Sequence, residues 1–244
     1  MYQYFLLFML ISSKTIFGCF GFSCLEMCSE EKIFNPSPGY LYHEQEGLYT
    51  CASSCALVLL NELGAKSLPI ESHSEAKLHK IMTMANHGFP DRGVLFADLV
   101  HFLNAYEEAG AKLVKAKFYL NMNEKQAKTF IRECRGVMKK LASSLWGKHE
   151  KSPELMREKL MSQHKTGHSF IVPLFMPSKQ NAHYILIRKE RASENKLVMM
   201  DPASGLNYKL DYNDFIKYFF NHKTFKLEGT RCFFFGAIIS INKA

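Results

Sequence analysis

Apolar positions along this chain change their period near residue 168, and the change divides it into two kinds of structure. Before that point apolar residues recur at three- and four-residue spacing. Ala52, Cys55, Ala56, Leu59, Leu60 and Leu63 predict a helix with one buried face. Thr50 is placed to cap its start and Gly64 to take the left-handed position that ends it. Glu75–Met84 predicts a second helix, closed by the turn residues Asn86–Pro90. Val94, Leu95, Leu99, Phe102, Leu103 and Tyr106 form a stripe that predicts a third over Val94–Gly110, with Gly110 as its stop. Ala111–Leu120 alternates as a strand does, and Ala127, Phe130, Ile131, Cys134, Val137, Met138 and Leu141 predict a long helix over Asn123–Leu145. Gly147–Gly167 is polar and basic with Pro153 at a helix start, and it reads as a mobile surface insertion.

After His168 the texture is that of strands: Ser169–Phe175, Ala182–Arg188, Lys196–Met200 and Cys232–Ile241, separated by turns at Pro177-Ser178 and Ala192–Asn195. Helices followed by an antiparallel sheet predict an α+β protein. On this reading residues 24–244 form one domain, with a helical lobe over about 40–167, a sheet lobe over about 168–244 and the active site between them.

Composition narrows the classes. A chain of 244 residues with 47% hydrophobic and 22% charged residues is globular rather than disordered. No apolar run is long enough for a spanning helix. Residues 1–23 hold the apolar run Tyr4–Ile11, then small residues at Gly18, Cys19, Gly21 and Ser23. That is a pattern of export signals, although no Lys or Arg precedes it and Lys14 interrupts it. Two readings stay open: a secreted or exported protein, or a cytoplasmic one whose N-terminal segment packs on the core. The net charge of +8 is concentrated: Lys112–Lys165 carries fourteen Lys and Arg against five Asp and Glu. No nucleic-acid motif accompanies this excess, so residues 112–165 read as a solvated face with scope for contact to an anionic surface.

The seven Cys residues, at 19, 24, 28, 51, 55, 134 and 232, match no zinc spacing, and neither a metal nor an organic cofactor is expected. Cys51 and Cys55 lie one turn apart on one helix, a poor geometry for a disulfide. Cys51 falls in the first turn, where backbone N–H groups and the helix dipole favour a thiolate. Six residues earlier Gln45 can donate an amide hydrogen beside the sulfur; with the Cys51 N–H it would form an oxyanion hole. Cys55 has Tyr49 at that offset and reads as core. His183 heads one strand and Asp201 ends the next. Paired across the turn near Glu194, the two strands bring these residues together, with Asp201 accepting from one imidazole nitrogen and the other facing Cys51 as its base. His164 and His168 lack the Glu between them that a metalloprotease helix needs and read as surface residues; Asp98 and His101 read as a solvated pair.

A Gln six residues before a Cys at the head of a buried helix resembles the papain-like cysteine peptidases. The His183-Tyr184 strand, the strand ending Asp201-Pro202-Ala203-Ser204-Gly205 and the aromatic helix in Leu210–Phe219 are similar to the bacteriocin-processing, double-glycine-leader peptidase group. Gly93–Gly110 resembles that group's glycine-bounded helix and Ser169–Leu174 its strand before the His. Ala52 and Ser53 stand where that group usually has Gly and Pro, and residues 111–167 are longer and more basic than its minimal domain. The resemblance implies a papain-like fold and a cysteine peptidase acting on a protein or peptide substrate, with Cys51, His183 and Asp201 as the triad and Gln45 as the oxyanion donor. It also suits an exported bacterial effector or toxin. The same triad serves glutamine deamidation or transglutamination, and a non-catalytic binding domain on the same scaffold is the third reading.

Overall fold

Adjacent residues of one strand, Tyr184 to Ile187, explain the architecture. All four are buried, yet successive side chains must point to opposite faces of a sheet, so both faces have to be covered. The computed structural model describes residues 39–84, 93–94, 96–120, 153–176, 181–190, 193, 195–221, 223–234 and 236–244. Over these residues the chain is α+β: helices α1 (Cys51–Leu63), α2 (Ser72–Met84), α3 (Phe96–Ala105), α4 (Pro153–Lys165) and α5 (Tyr212–Asn221) surround a large antiparallel sheet. Its main path runs β3 (Val114–Leu120), β10 (Ala237–Lys243), β4 (Ser169–Met176), β5 (Asn181–Lys189), β6 (Lys196–Asp201) and β7 (Leu206–Asp211). Strands β8 (Phe225–Leu227) and β9 (Thr230–Phe234) join through β4. Tyr184, Leu186, Met200 and Ile239 share a core with α1, α2 and α3 on one face. Ile185, Ile187, Met199 and Phe170 share the other with α4 and α5. Each fully buried aliphatic or aromatic side chain contributes roughly 1.5–3 kcal/mol, so these two cores carry the fold.

Several elements differ from the sequence expectation. Strand β3 pairs with β10 and so stands in the same sheet as the strands after residue 168. Helix α4 is no mobile insertion: Met156, Leu160 and His164, spaced four apart on one helix face, are buried. His164, read as a surface residue, stacks on the Tyr212 ring at 4.4 Å. Helix α3 stops at Ala105 rather than Gly110. Asn104, in the last turn, bonds both backbone groups of Ala116 with its side chain, at 3.0 and 2.9 Å, which ties the helix end to β3. Residues 107–112 then form a hairpin of β1 (Glu107–Glu108) and β2 (Ala111–Lys112). Its two turn residues, Ala109 and Gly110, both have positive φ, the twist that suits a two-residue hairpin.

The predicted strand Cys232–Ile241 is two strands, broken at Gly236, whose φ of 73° lies in the left-handed region. Strand β10 pairs with β4 up to Ile171 and β9 resumes at Leu174. Pro173, which has no N–H to donate, sits in the gap. Strand β7 had no counterpart in the sequence reading. The expectations for residues 1–23, Asn86–Pro90, the helix over Asn123–Leu145 and most of the basic stretch lie outside the described residues. Among the described residues no helix is long and apolar enough to cross a membrane.

Candidate active site

Helix α1 brings Cys51 to the sheet at the point where a strand leaves it. The β5–β6 ladder ends with Leu186 opposite Met200, and β6 gives way to a turn at Pro202, which has no N–H. Tyr184 therefore lacks a strand partner on that side, and α1 supplies both its missing bonds. The Tyr184 N–H donates to Cys51 Sγ at 3.5 Å, and Cys55 Sγ, one helical turn on, donates to the Tyr184 carbonyl at 3.7 Å. The two thiols are thus distinguished by role. Cys51 accepts and is 8% exposed, while Cys55 donates and has no exposure. Burial, and then the neighbouring Cys51 and Asp201 charges, push the Cys55 thiol well above its ordinary pKa, so it stays a neutral core residue as expected.

The start of α1 is built differently from the expectation. Thr50 occupies the cap position but its hydroxyl makes no cap bond. Instead it donates to the Gly47 carbonyl at 2.9 Å and accepts the Gly47 N–H at 3.0 Å. A side chain at Gly47 would fall 2.8 Å from the Thr50 methyl, so the loop closes only around glycine. No acidic residue occupies the first turn. The N–H groups around Cys51 are left without a competing side-chain acceptor at the cap. The other end follows expectation: Gly64 is left-handed at φ 107°, and the last N–H groups return to Asn61 and Leu60.

The antiparallel register brings the other two residues together. With Leu186 opposite Met200, Asp201 falls across from Ile185 and on the same sheet face as His183. Their side chains meet, His183 Nε2 to Asp201 Oδ1, at 2.5 Å, and both are buried. Asp201 Oδ1 also accepts the Ala203 N–H at 2.9 Å, which fixes the carboxylate within its own turn. Burial alone would lower the His183 pKa. The Asp201 hydrogen bond, then a bond to the Cys51 sulfur and the charges of both, outweigh it and push the imidazole up to about 9. With Nε2 taken by Asp201, Nδ1 is the nitrogen left for Cys51. His183 thus meets Asp201 directly, and the Cys51 sulfur is held on the backbone N–H of the next residue, Tyr184.

Gln45 stands on the same turn. Its backbone N–H donates to Pro202 O at 2.7 Å, and a side chain at Gly205 would press on Glu44 at 3.0 Å. Gly205, at φ +64°, is thus required twice, for its conformation and for the close approach. The Gln45 amide nitrogen gives one hydrogen to Gly47 O at 2.8 Å, and its carbonyl oxygen is buried without a partner. An amide nitrogen carries two hydrogens, so one donor remains after the Gly47 bond.

Three further residues hold the site, and none was given a role from the sequence. Tyr184 acts through its backbone, which no side-chain pattern reveals. Arg188 is buried, donates to Leu41 O at 3.0 Å, and bonds Glu62 on α1 and Asn207 on β7. It pins the segment before Gln45 to both layers, and an Arg directly after the apolar run Tyr184–Ile187 was its one sequence signal. Glu75, on α2, receives His43 and Glu46 from the two sides of Gln45. Compared with known proteins, the chain matches no family model and no curated protein sequence.

Proposed function

We infer that the chain is a thiol hydrolase of papain-like fold that cleaves peptide or isopeptide bonds through Cys51, His183 and Asp201. The observation that carries this reading is the buried His183–Asp201 pair at 2.5 Å, with the Cys51 sulfur bonded at 3.5 Å to the backbone N–H of the next residue, Tyr184. An imidazole whose pKa stands near 9 is protonated at neutral pH, and beside a sulfur it forms the ion pair such catalysis starts from. The papain-like reading is further supported by a nucleophile at the head of a buried helix, packed on an antiparallel sheet that carries the base and its orienting carboxylate.

In the first step the Cys51 sulfur attacks the carbonyl carbon, and the C=O electron pair moves onto oxygen. The Cys51 N–H and the second hydrogen of the Gln45 amide receive that oxyanion. His183 gives its Nδ1 proton to the leaving amine as the C–N bond breaks, leaving a thioester. A water then attacks the thioester while His183 takes its proton. Collapse releases the acid, returns the thiolate and leaves His183 protonated. Asp201 keeps Nε2 protonated and the ring aimed throughout.

The substrate on this reading is a protein or peptide, and residues 1–23 and 112–165 serve export and contact with anionic surfaces. The test is labelling with a peptide-like thiol trap followed by proteomics of treated extracts, comparing wild type with Cys51→Ala. New chain ends that depend on Cys51 are the expected result. Intact targets carrying the mass gain of an amide-to-acid conversion would assign the triad to deamidation instead, and no Cys51-dependent change of either kind would count against both.

A further inference from the structure

We propose that Glu75 is a positioning residue for Gln45: its buried carboxylate clamps both flanks of the segment that carries the oxyanion donor. The proposal rests on the thiol-hydrolase reading above and goes beyond it.

Gln45 lies in a stretch without regular secondary structure, between His43 and the Gly47–Thr50 loop. A donor on such a stretch is worth little unless the backbone beneath it is fixed, because misplacement by about 1 Å can cost a hundredfold in rate. The Glu75 carboxylate, 2% exposed, straddles it. Oε2 meets His43 Nε2 at 2.5 Å, two residues before Gln45. Oε1 accepts the backbone N–H of Glu46 at 3.2 Å, immediately after it. Ser72, one turn earlier on α2, bonds the Glu46 side chain, and Ser54 of α1 donates to the His43 carbonyl at 2.8 Å. The Gln45 N–H is meanwhile held by Pro202 O. The donor segment is thus tied on one side to α2 and on the other to the turn that carries Asp201.

A carboxylate this far from water is costly unless both oxygens are satisfied. Here the groups that satisfy them, His43 and the Glu46 amide, come from the two flanks of one catalytic position, and neither touches the sulfur. Glu75 therefore acts on the oxyanion through Gln45 and leaves the nucleophile itself alone. This separates it from a residue that merely supports the fold.

The experiment is a double-mutant cycle on the full chain with Gln45→Ala, Glu75→Ala and the pair. Two probes are used. Acylation of Cys51 by p-nitrophenyl acetate, followed as released p-nitrophenolate, passes through an oxyanion; alkylation by iodoacetamide does not. Gln45→Ala is expected to slow acylation by about 100- to 1000-fold. Glu75→Ala is expected to slow it by about 10- to 100-fold and to add nothing once Gln45 is gone. Alkylation stays near the wild-type rate in all four proteins, and Glu75→Gln, which keeps an acceptor for Glu46 and a donor for His43, recovers most of the acylation. Should Glu75→Ala not fold, His43→Ala takes its place in the cycle, with a smaller loss and the same silence in the Gln45→Ala background.

The clamp is overturned if Glu75→Ala acylates like wild type, if its effect persists undiminished without Gln45, or if alkylation falls in step with acylation. Wild-type acylation in Gln45→Ala alone removes the oxyanion role on which the clamp depends, and so overturns both. A slow Gln45→Ala beside a normal Glu75→Ala overturns only the clamp.

Discussion

Two histidine–carboxylate pairs lie on either side of the segment that carries Gln45, and they are built alike. His183 meets Asp201 and His43 meets Glu75, each through Nε2 at 2.5 Å, with both carboxylates buried. They differ in the third partner. In the first pair the far side of the imidazole meets the Cys51 sulfur, a group that can hold and release charge. In the second the spare carboxylate oxygen ends on the Glu46 backbone N–H, which does neither. A buried acid–base pair is therefore no sign of catalysis in itself. What it adjoins decides whether it moves protons or holds a chain in place.

The largest expected effect separates the two cysteines that meet Tyr184. Cys51→Ala should abolish turnover and active-site alkylation. Cys55→Ala should keep both and cost about 1–3 kcal/mol in denaturant unfolding, as a small buried side chain does. The reverse result would reassign the nucleophile. Next comes Gln45→Ala, slowed in turnover by about 100- to 1000-fold while Cys51 still alkylates; a trap that forms no oxyanion, run beside one that does, reads this out. The same chemical change made in each pair then breaks the comparison directly. Asp201→Asn should lower turnover by at least about 10-fold, because the protonated imidazole loses the negative charge that stabilises it and fixes its tautomer. Glu75→Gln should retain most of the activity, since a neutral amide can still bridge His43 and Glu46. Equal losses at the two positions would mean the pairs do the same work.

The smallest effect is on stability. The folded His183 pKa is raised from 6.5 to about 9, so folding binds its proton more tightly than the unfolded chain does. The resulting stabilisation is fully present below about pH 6.5 and is lost as pH rises through about 9, on the order of 3 kcal/mol. The unfolding free energy of His183→Gln should lack this fall between the two pH values. A wild-type profile that rises over that window would reverse the sign of the coupling.

The helix start at Cys51 and the meeting of His183 with Asp201 were legible because each obeys a short-range rule. A helix start places Cys51, and one antiparallel register, Leu186 opposite Met200, places the other two. What was not legible depends on partners far away in the chain. Thr50 has the type and position of a helix cap, yet Gly47 competes for its hydroxyl and wins. Glu75 reads as one more acidic residue in the first turn of a helix, and only the fold brings His43 and Glu46 to it. Helix α4 hid its buried face because Met156, Leu160 and His164 supply one residue per turn within an otherwise polar, basic sequence. Strand β7 was missed because its buried positions include the polar Asn207, which is spent on Arg188 and the Tyr40 carbonyl rather than on apolar packing.

The central claim is that Cys51 and His183 work as one ion pair. The most direct measurement is the rate of iodoacetamide alkylation of Cys51 from about pH 5 to pH 9, in wild type and in His183→Ala. The account predicts that wild type stays reactive near pH 6, where an ordinary thiol of pKa about 8.5 is almost wholly protonated, and that His183→Ala loses this acidic limb. Overlaid profiles for the two proteins would contradict the pairing and the thiol-hydrolase reading with it.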